Sequence, residues 1–323
     1  MKAGKKSGVF TQIFGGERDV PFGNSSFVCR KGAFQIRSRL GKSYVLLSAL
    51  LGVSVILLIF VFLFGYSLPV LTSPEAELFP LDWNPPKMQF GVLPLIYGSV
   101  AVTIIALALA LPLGVFTAIF TSEMLSGKTR LYVKSLLELL AGVPSIIYGL
   151  IGVVFLSTWI ESVFDLQSGL TILTGGLLIA VMILPTIITL TDDALQNVPQ
   201  KYRKAARGVG LQPYEVIKSA VLPIARPDIF GAALLALGRA VGETMAVMLV
   251  IGSIDRIPSP ITNVLAPGQT MTSKLGRELA EAAFGSEHFS AMVFIGLLLL
   301  LIVMCLTFSA QVLLYKPGSR LYE

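Results

Sequence analysis

A chain of 323 residues that is 54% hydrophobic and only 14% charged, with mean hydropathy +0.79, is too apolar to be an ordinary soluble domain. The net charge of +6 does not point to nucleic acid, because the basic residues lie between long apolar runs, where membrane topology accounts for them. Two cysteines, Cys29 in a basic stretch and Cys305 in an apolar one, exclude a disulfide or Cys-rich zinc framework.

A spanning helix takes about 20 mostly apolar residues, and six such segments follow in chain order. Residues 1–43 form a basic tail, with nine Lys and Arg against Glu17 and Asp19. It reads as a flexible tail on the basic side of a membrane, within reach of anionic lipid. The first span is predicted over 44–68; its apolar run is longer than a signal-peptide core and no small-residue cleavage site follows, so it is read as retained. A loop over 69–93 leads to a five-helix core over 94–314. Its spans are predicted from Pro94 to Phe120, from Leu131 to Ile160 with a kink at Pro144, from Thr171 to Leu190, from Ile229 to Gly252, and from Ala291 to Leu314. A short tail, 315–323, ends the chain.

Six spans put both termini on one side. The two tails and the loops after the second and fourth spans hold 20 of the 25 Lys and Arg, so these segments are predicted to be cytoplasmic. The opposite loops carry Lys87, Arg256, Lys274 and Arg277 with the acidic residues Glu75, Glu77, Asp82, Glu161 and Asp165. Lys274 is expected to be solvent-accessible there, and the lone histidine, His288, to be a solvated loop residue. Trp83 and Trp159 fit the outer interface.

The loop over 191–228 is long for a connection between neighbouring helices. Its pattern predicts two short helices. One opens at Pro199 and stops at Gly208 or Gly210; the other opens at Pro213 and ends at Pro223. Their apolar faces, Tyr202, Ala205, Ala206 and Val209 on one and Val216, Ile217, Ala220 and Val221 on the other, either dock on a partner or merely close the loop. Ser126 to Thr129 read SGKT, but a P-loop needs glycine at position 122, which is Ser122, and a strand before it.

The fifth span carries Arg239 and Glu243. Arg239 lies about 16 Å into the helix at about 1.5 Å per residue, near the middle of an apolar core about 30 Å thick. Glu243, four residues on, shares its face in a continuous helix, so the two charges are expected to neutralise each other. One reading is an ion pair that fixes packing. The other is an anion pathway: a guanidinium presents a planar fork of donors matching two oxygens of a phosphate, and a carboxylate accepts a hydrogen bond from a protonated phosphate.

The loop also resembles a known pattern. The inner-membrane permeases of binding-protein-dependent ABC importers carry an EAA loop, EAA-x3-G-x9-I-x-L-P. Here Lys204, Ala205 and Ala206 stand at its opening, Gly210 at its glycine, and Leu222 and Pro223 at its close, with Lys204 replacing the Glu and Ala220 the Ile. The stretches ELLAGVPSIIYGL (138–150) and LGRAVGETMAVMLVIGS (237–253) are similar to segments of phosphate-importer permeases, and GETMAV is more similar to the PstC-type than to the PstA-type subunit.

That resemblance implies an all-α membrane protein with a type I (MetI-like) permease core and a cytoplasmic coupling helix in the 191–228 loop. It implies phosphate as cargo, Arg239 and Glu243 on its pathway, and Lys204, Ala205, Ala206, Gly210, Leu222 and Pro223 in coupling to an ATPase. The implied partners are a PstA-type permease, two PstB-type ATPases holding ATP and Mg, and an extracytoplasmic phosphate-binding protein. The chain itself is expected to have no catalytic residue, metal or cofactor and to lie in the bacterial inner membrane. Another oxyanion such as sulfate or molybdate, or a secondary anion transporter, remains the alternative.

Overall fold

A computed structural model of the chain describes residues 28–74 and 76–314, with side chains over 41–74 and 76–312. Most of the expected N-terminal tail (1–27), the C-terminal tail (315–323) and Glu75 lie outside the described residues. Among the described residues, six helices are long and apolar enough to cross a membrane: Gly41–Thr72, Val92–Glu123, Ser145–Phe164, Ile172–Gln196, Pro213–Gly242 and Glu287–Val312.

Helix α1 (Val28–Thr72) begins well before the predicted Tyr44. Its first turns are rich in Arg, Lys and Gln, which favour helix, and no proline stands in the way until Pro69. Over residues 44–59, which fall in a different unit from the described chain beyond Ile59, the apolar side chains are exposed, as on a lipid-facing helix.

In the second unit a two-residue hairpin, β1 (Trp83–Asn84) and β2 (Gln89–Phe90), precedes α2 (Val92–Glu123). Helices α2 and α6 (Ile172–Gln196) form the centre. Ala106, Ala110, Gly114 and Ala118 recur every fourth residue and are buried on one face of α2. A Cβ on Gly114 would lie 2.5 Å from Cγ2 of Ile187, and one on Gly176 of α6 would lie 2.5 Å from Cγ2 of Ile105. Lipid is as apolar as a side chain, so helices in it gain little from hydrophobic burial. They associate by close packing, and small residues permit the approach.

The predicted third span is two helices rather than one kinked helix. Helix α3 (Gly127–Ala141) stops, and α4 (Ser145–Ile151) runs through a π turn (Gly152–Ser157) into α5 (Thr158–Phe164). Pro144 has ψ 135° and no N–H to donate, and it disfavours the helical conformation at Val143. Gly142 before it adds little helix propensity.

The second loop helix does not end at Pro223. After α7 (Gln200–Gly208), α8 (Pro213–Val216) passes through a π turn (Ile217–Val221) into α9 (Leu222–Gly242), one span of 30 residues. The wider hydrogen-bond spacing of the π turn accommodates a proline that would otherwise interrupt the ladder. The span then ends at Gly242, short of the predicted Gly252. Glu243 is extended (φ −70°, ψ 123°), and α10 (Met245–Val250) starts afresh. A tertiary bond replaces the lost helical one, with Thr272 Oγ1 donating to the Glu243 carbonyl at 2.8 Å.

The loop beyond α10 returns as α11 (Met271–Glu278) before α12 (Glu287–Leu314). Lys274, expected in solvent, is 1% exposed. Its ammonium pairs with Asp255 and Glu278 at 2.5 Å each and lies 4.6 Å from the centre of the Trp83 ring. His288 is also drawn in, 3.2 Å from Glu278 and stacked on Phe90. The loop thus closes on its own charges instead of displaying them. Burial pushes the Asp255 carboxyl above its ordinary value of 3.8, outweighing the hydrogen bond from Lys274.

Two outcomes follow from this packing. Gly114→Leu should cost about 1–3 kcal/mol or more by overpacking the α2–α6 seam, whereas Gly231→Ala, where a Cβ meets nothing within 4 Å, should cost nothing; thermal melting of the detergent-solubilised protein compares them. For Asp255, a raised pKa in the folded state means that its stabilisation is complete below 3.8 and lost as pH rises through the raised value. The melting temperature of the wild type relative to Asp255→Asn should therefore increase as the pH is lowered from 7 towards 4, and a constant difference would contradict the assignment.

Candidate functional site

Arg239 sits in the last turn of α9, half-buried. Its Nη1 donates to Thr186 Oγ1 of α6 at 3.1 Å and its Nη2 to the Ala141 carbonyl at 3.4 Å. Ala141 is the last residue of α3, so its carbonyl has no helical partner, and the negative end of the α3 dipole faces the guanidinium. The break at Gly142–Pro144 makes this acceptor available.

Glu243 is not the partner of Arg239. The expected shared face requires a continuous helix, and the chain leaves helical geometry at Glu243 itself. Its carboxylate instead turns to the next helix and accepts from the Ala246 N–H of α10 at 3.4 Å. Among the described residues Arg239 forms no ion pair: its recorded acceptors are the Thr186 hydroxyl and a backbone carbonyl. The two charged residues therefore flank the break after Gly242, each held by uncharged groups.

The second cluster lies where α2 and α6 end. Helix α7 is amphipathic, and its buried side carries Ala206, which packs with Ala118, Ile188, Leu195, Val198, Val216 and Val221. The apolar faces that the spacing set out are thus divided. Ala206, Val216 and Val221 serve the chain's own core, while Lys204, Ala205 and Val209 are exposed. Gly210 has φ +88°, the left-handed conformation that a glycine tolerates best, and reverses the chain between α7 and α8. Leu222 and Pro223 are half-buried at the start of α9 rather than at the end of a loop helix.

Sequence reasoning missed the residue that fastens α7. Arg203 is buried, grips both oxygens of Glu123 at 2.7 and 2.6 Å, and donates to the Leu195 carbonyl at 2.8 Å. Alongside, Arg130 and Lys134 of α3 pair with Asp192 at 2.6 Å and Asp193 at 2.5 Å in the last turns of α6. The only signal in the sequence was the position of Arg203, three residues before Ala206 and so on the same helical face; its partner is 80 residues away. The SGKT stretch opens α3, an amphipathic helix, with α2 rather than a strand before it.

Residues 110–316 match the family of binding-protein-dependent transport system inner membrane components. The phosphate transport system permease protein PstC of Mesorhizobium japonicum is 36% identical over 258 residues, which cover 74% of this chain and 78% of that one. The probable ABC transporter permease protein YqgH of Bacillus subtilis is 34% identical, covering 71% and 74%. A PstC of Xylella fastidiosa is 31% identical, covering 74% and 78%.

Among solved structures, a bacterial ABC transporter involved in importing the acidic polysaccharide alginate aligns with TM-score 0.55 at 14% identity, covering 88% of this chain and 100% of that one. An inward-facing MetNI methionine ABC transporter aligns with TM-score 0.51 at 16% identity, covering 69% and 93%. At these identities the likeness is one of fold: a MetI-like permease core. With that fold, the family match and relatives more than 30% identical over most of its length, the chain belongs to the binding-protein-dependent transport system inner membrane components, among the PstC-type permeases.

Proposed function

We propose that the chain is the PstC-type permease subunit of an ATP-driven importer of inorganic phosphate, and that Arg239 and Glu243 lie on the phosphate pathway. The observation that carries this reading is the state of Arg239. A cation in an apolar span is costly, and one with no carboxylate partner among the described residues is held ready for an anion that arrives from elsewhere. Its planar fork fits two phosphate oxygens. Glu243, four residues on at the end of the same helix, can accept a hydrogen bond from the hydroxyl that a monohydrogen or dihydrogen phosphate still carries and that sulfate at neutral pH lacks. A single arginine binds weakly, which suits a pathway that must release its cargo.

In this reading the chain works beside a PstA-type permease, with two PstB-type ATPases holding ATP and Mg and an extracytoplasmic phosphate-binding protein delivering the anion. It has no ATP site or catalytic residue of its own. The basic segments face the cytoplasm, so α7 lies on the cytoplasmic side and the Lys274 cluster outside, in a bacterial inner membrane. The exposed Lys204, Ala205 and Val209, turned by Gly210, meet the ATPase. Behind them Arg203 and the stretch from Val221 to Pro223 join α7 to the permease core, so that movement of the ATPase is passed to the helices.

The coupling role is tested by Arg203→Ala. It leaves the half-buried Glu123 without its cation, a loss of up to about 3 kcal/mol. Uptake of labelled phosphate should fall to background and less ATPase should copurify; wild-type uptake by this variant would remove α7 from the coupling path. The pathway is tested on Arg239. Arg239→Gln should lower uptake by roughly ten- to a hundredfold, the loss expected for a charge-assisted contact, and Arg239→Lys should rescue only in part because it lacks the fork. Arg239→Gln/Glu243→Gln should stay inactive although assembled. Near-normal uptake by that double variant, with sulfate and molybdate as competitors in the same assay, would show that the two charges only brace the helices.

A further inference from the structure

We propose that Thr186 and the C-terminal carbonyl of α3 are the resting ligands of Arg239, displaced when an anion arrives. This rests on the reading of Arg239 as the anion contact. The sequence suggested Glu243 for the resting role, and the break at Gly242 takes it away. What remains around the guanidinium are two neutral oxygens from two different helices, at 3.1 and 3.4 Å. Bonds from a guanidinium to an anion, with both partners charged, run at about 2.7–2.9 Å, shorter than either resting contact, in which only the donor is charged. The resting contacts are thus strong enough to orient the side chain and weak enough for a phosphate to replace.

The α3 contact exists because of the local sequence. In an unbroken helix the Ala141 carbonyl would accept the N–H of Ser145. Pro144 and Gly142 end the helix first, and the carbonyls of the last turn need other donors. The Gly142 N–H reaches the carbonyls of Glu138 and Leu139, the Val143 N–H at 3.2 Å and the Tyr148 hydroxyl at 2.9 Å both reach that of Leu140, and Arg239 takes that of Ala141. Thr186 supplies the other anchor from α6, one residue after Pro185 inside that helix. Both terminal nitrogens of Arg239 are thereby drawn to separate helices. Among the described residues three N–H donors remain free, but an anion that turns the fork away from α3 and α6 to face its two oxygens breaks these contacts. Thr186 is in this sense a positioning residue whose hydroxyl competes with the cargo.

Competition has a sign that other roles lack. Removing a competitor tightens anion binding, whereas removing a phosphate ligand or a structural prop weakens it. The measurement is protection of Arg239 from phenylglyoxal by inorganic phosphate, read by peptide mass spectrometry on the purified permease–ATPase complex without binding protein or nucleotide. Thr186→Val should lower the half-protecting phosphate concentration by roughly two- to tenfold, the range for one lost hydrogen bond, and Thr186→Ser should match the wild type. Gly142→Ala/Pro144→Ala, which lets α3 run on and engages the Ala141 carbonyl in the helix, should shift it in the same direction, and it decides the matter if Thr186→Val fails to assemble. An unchanged or higher half-protecting concentration in these variants, with the wild type protected, would overturn the resting-ligand proposal alone. If phosphate protects Arg239 in none of the proteins, Arg239 is not the anion contact and both readings fall.

Discussion

A helix that breaks within an apolar span leaves backbone carbonyls and amides that lipid cannot satisfy, and this constraint governs the centre of the molecule. Among the described residues, such breaks occur after Ala141 and after Gly242. Each is closed by a polar side chain from another element. Arg239 of α9 reaches the end of α3, and Thr272 of α11 reaches the carbonyl of Glu243. The breaks are therefore bound into the tertiary structure, and the charged residues beside them are positioned by backbone groups rather than by each other.

The rest of the core gives these breaks a firm frame. The small-residue face of α2 lets α6 approach closely, and the pairs Arg130–Asp192 and Lys134–Asp193 hold α3 along the last turns of α6. Arg203 extends the same fastening to α7 through Glu123 and the Leu195 carbonyl. One body of helices thus carries both the candidate pathway arginine and the helix proposed to meet the ATPase. At its other end, Lys274 draws together Asp255, Glu278 and the Trp83 ring, closing the long connection between α10 and α12 around a desolvated charge cluster. Such a cluster is a costly way to pack a loop, since each ion surrenders hydration. It ties that loop to β1, which apolar contacts alone would hold with less directional precision.

Much of this was legible in the amino-acid sequence. Six apolar runs are read from composition alone, because no other structure satisfies the backbone of so many consecutive apolar residues in lipid except a closed barrel of alternating strands. The 191–228 loop announced its first helix through Pro199 and its reversal through Gly210, whose φ of +88° is the conformation glycine exists to supply. The family was legible in the same loop, from Lys204 to Pro223, and in the segments around Pro144 and Glu243.

What the tertiary structure alone decided is how charges meet. Spacing put Arg239 and Glu243 on one face, and that inference holds only while the helix is continuous; it ends at Gly242, and the freed carbonyl of Glu243 is taken up by a hydroxyl 29 residues further on, at Thr272. Spacing likewise left Arg203 without a partner, Lys274 in solvent, and Pro144 as a kink. Proline and glycine mark places where a helix is weak. Whether the chain bends, stops or continues through a π turn there, as it does before Pro223, is settled by which distant donors and acceptors can take up the freed backbone groups. Local sequence determines where spans lie because burial in lipid is a property of each residue; pairing across helices is a property of the assembled fold, and no local pattern encodes it.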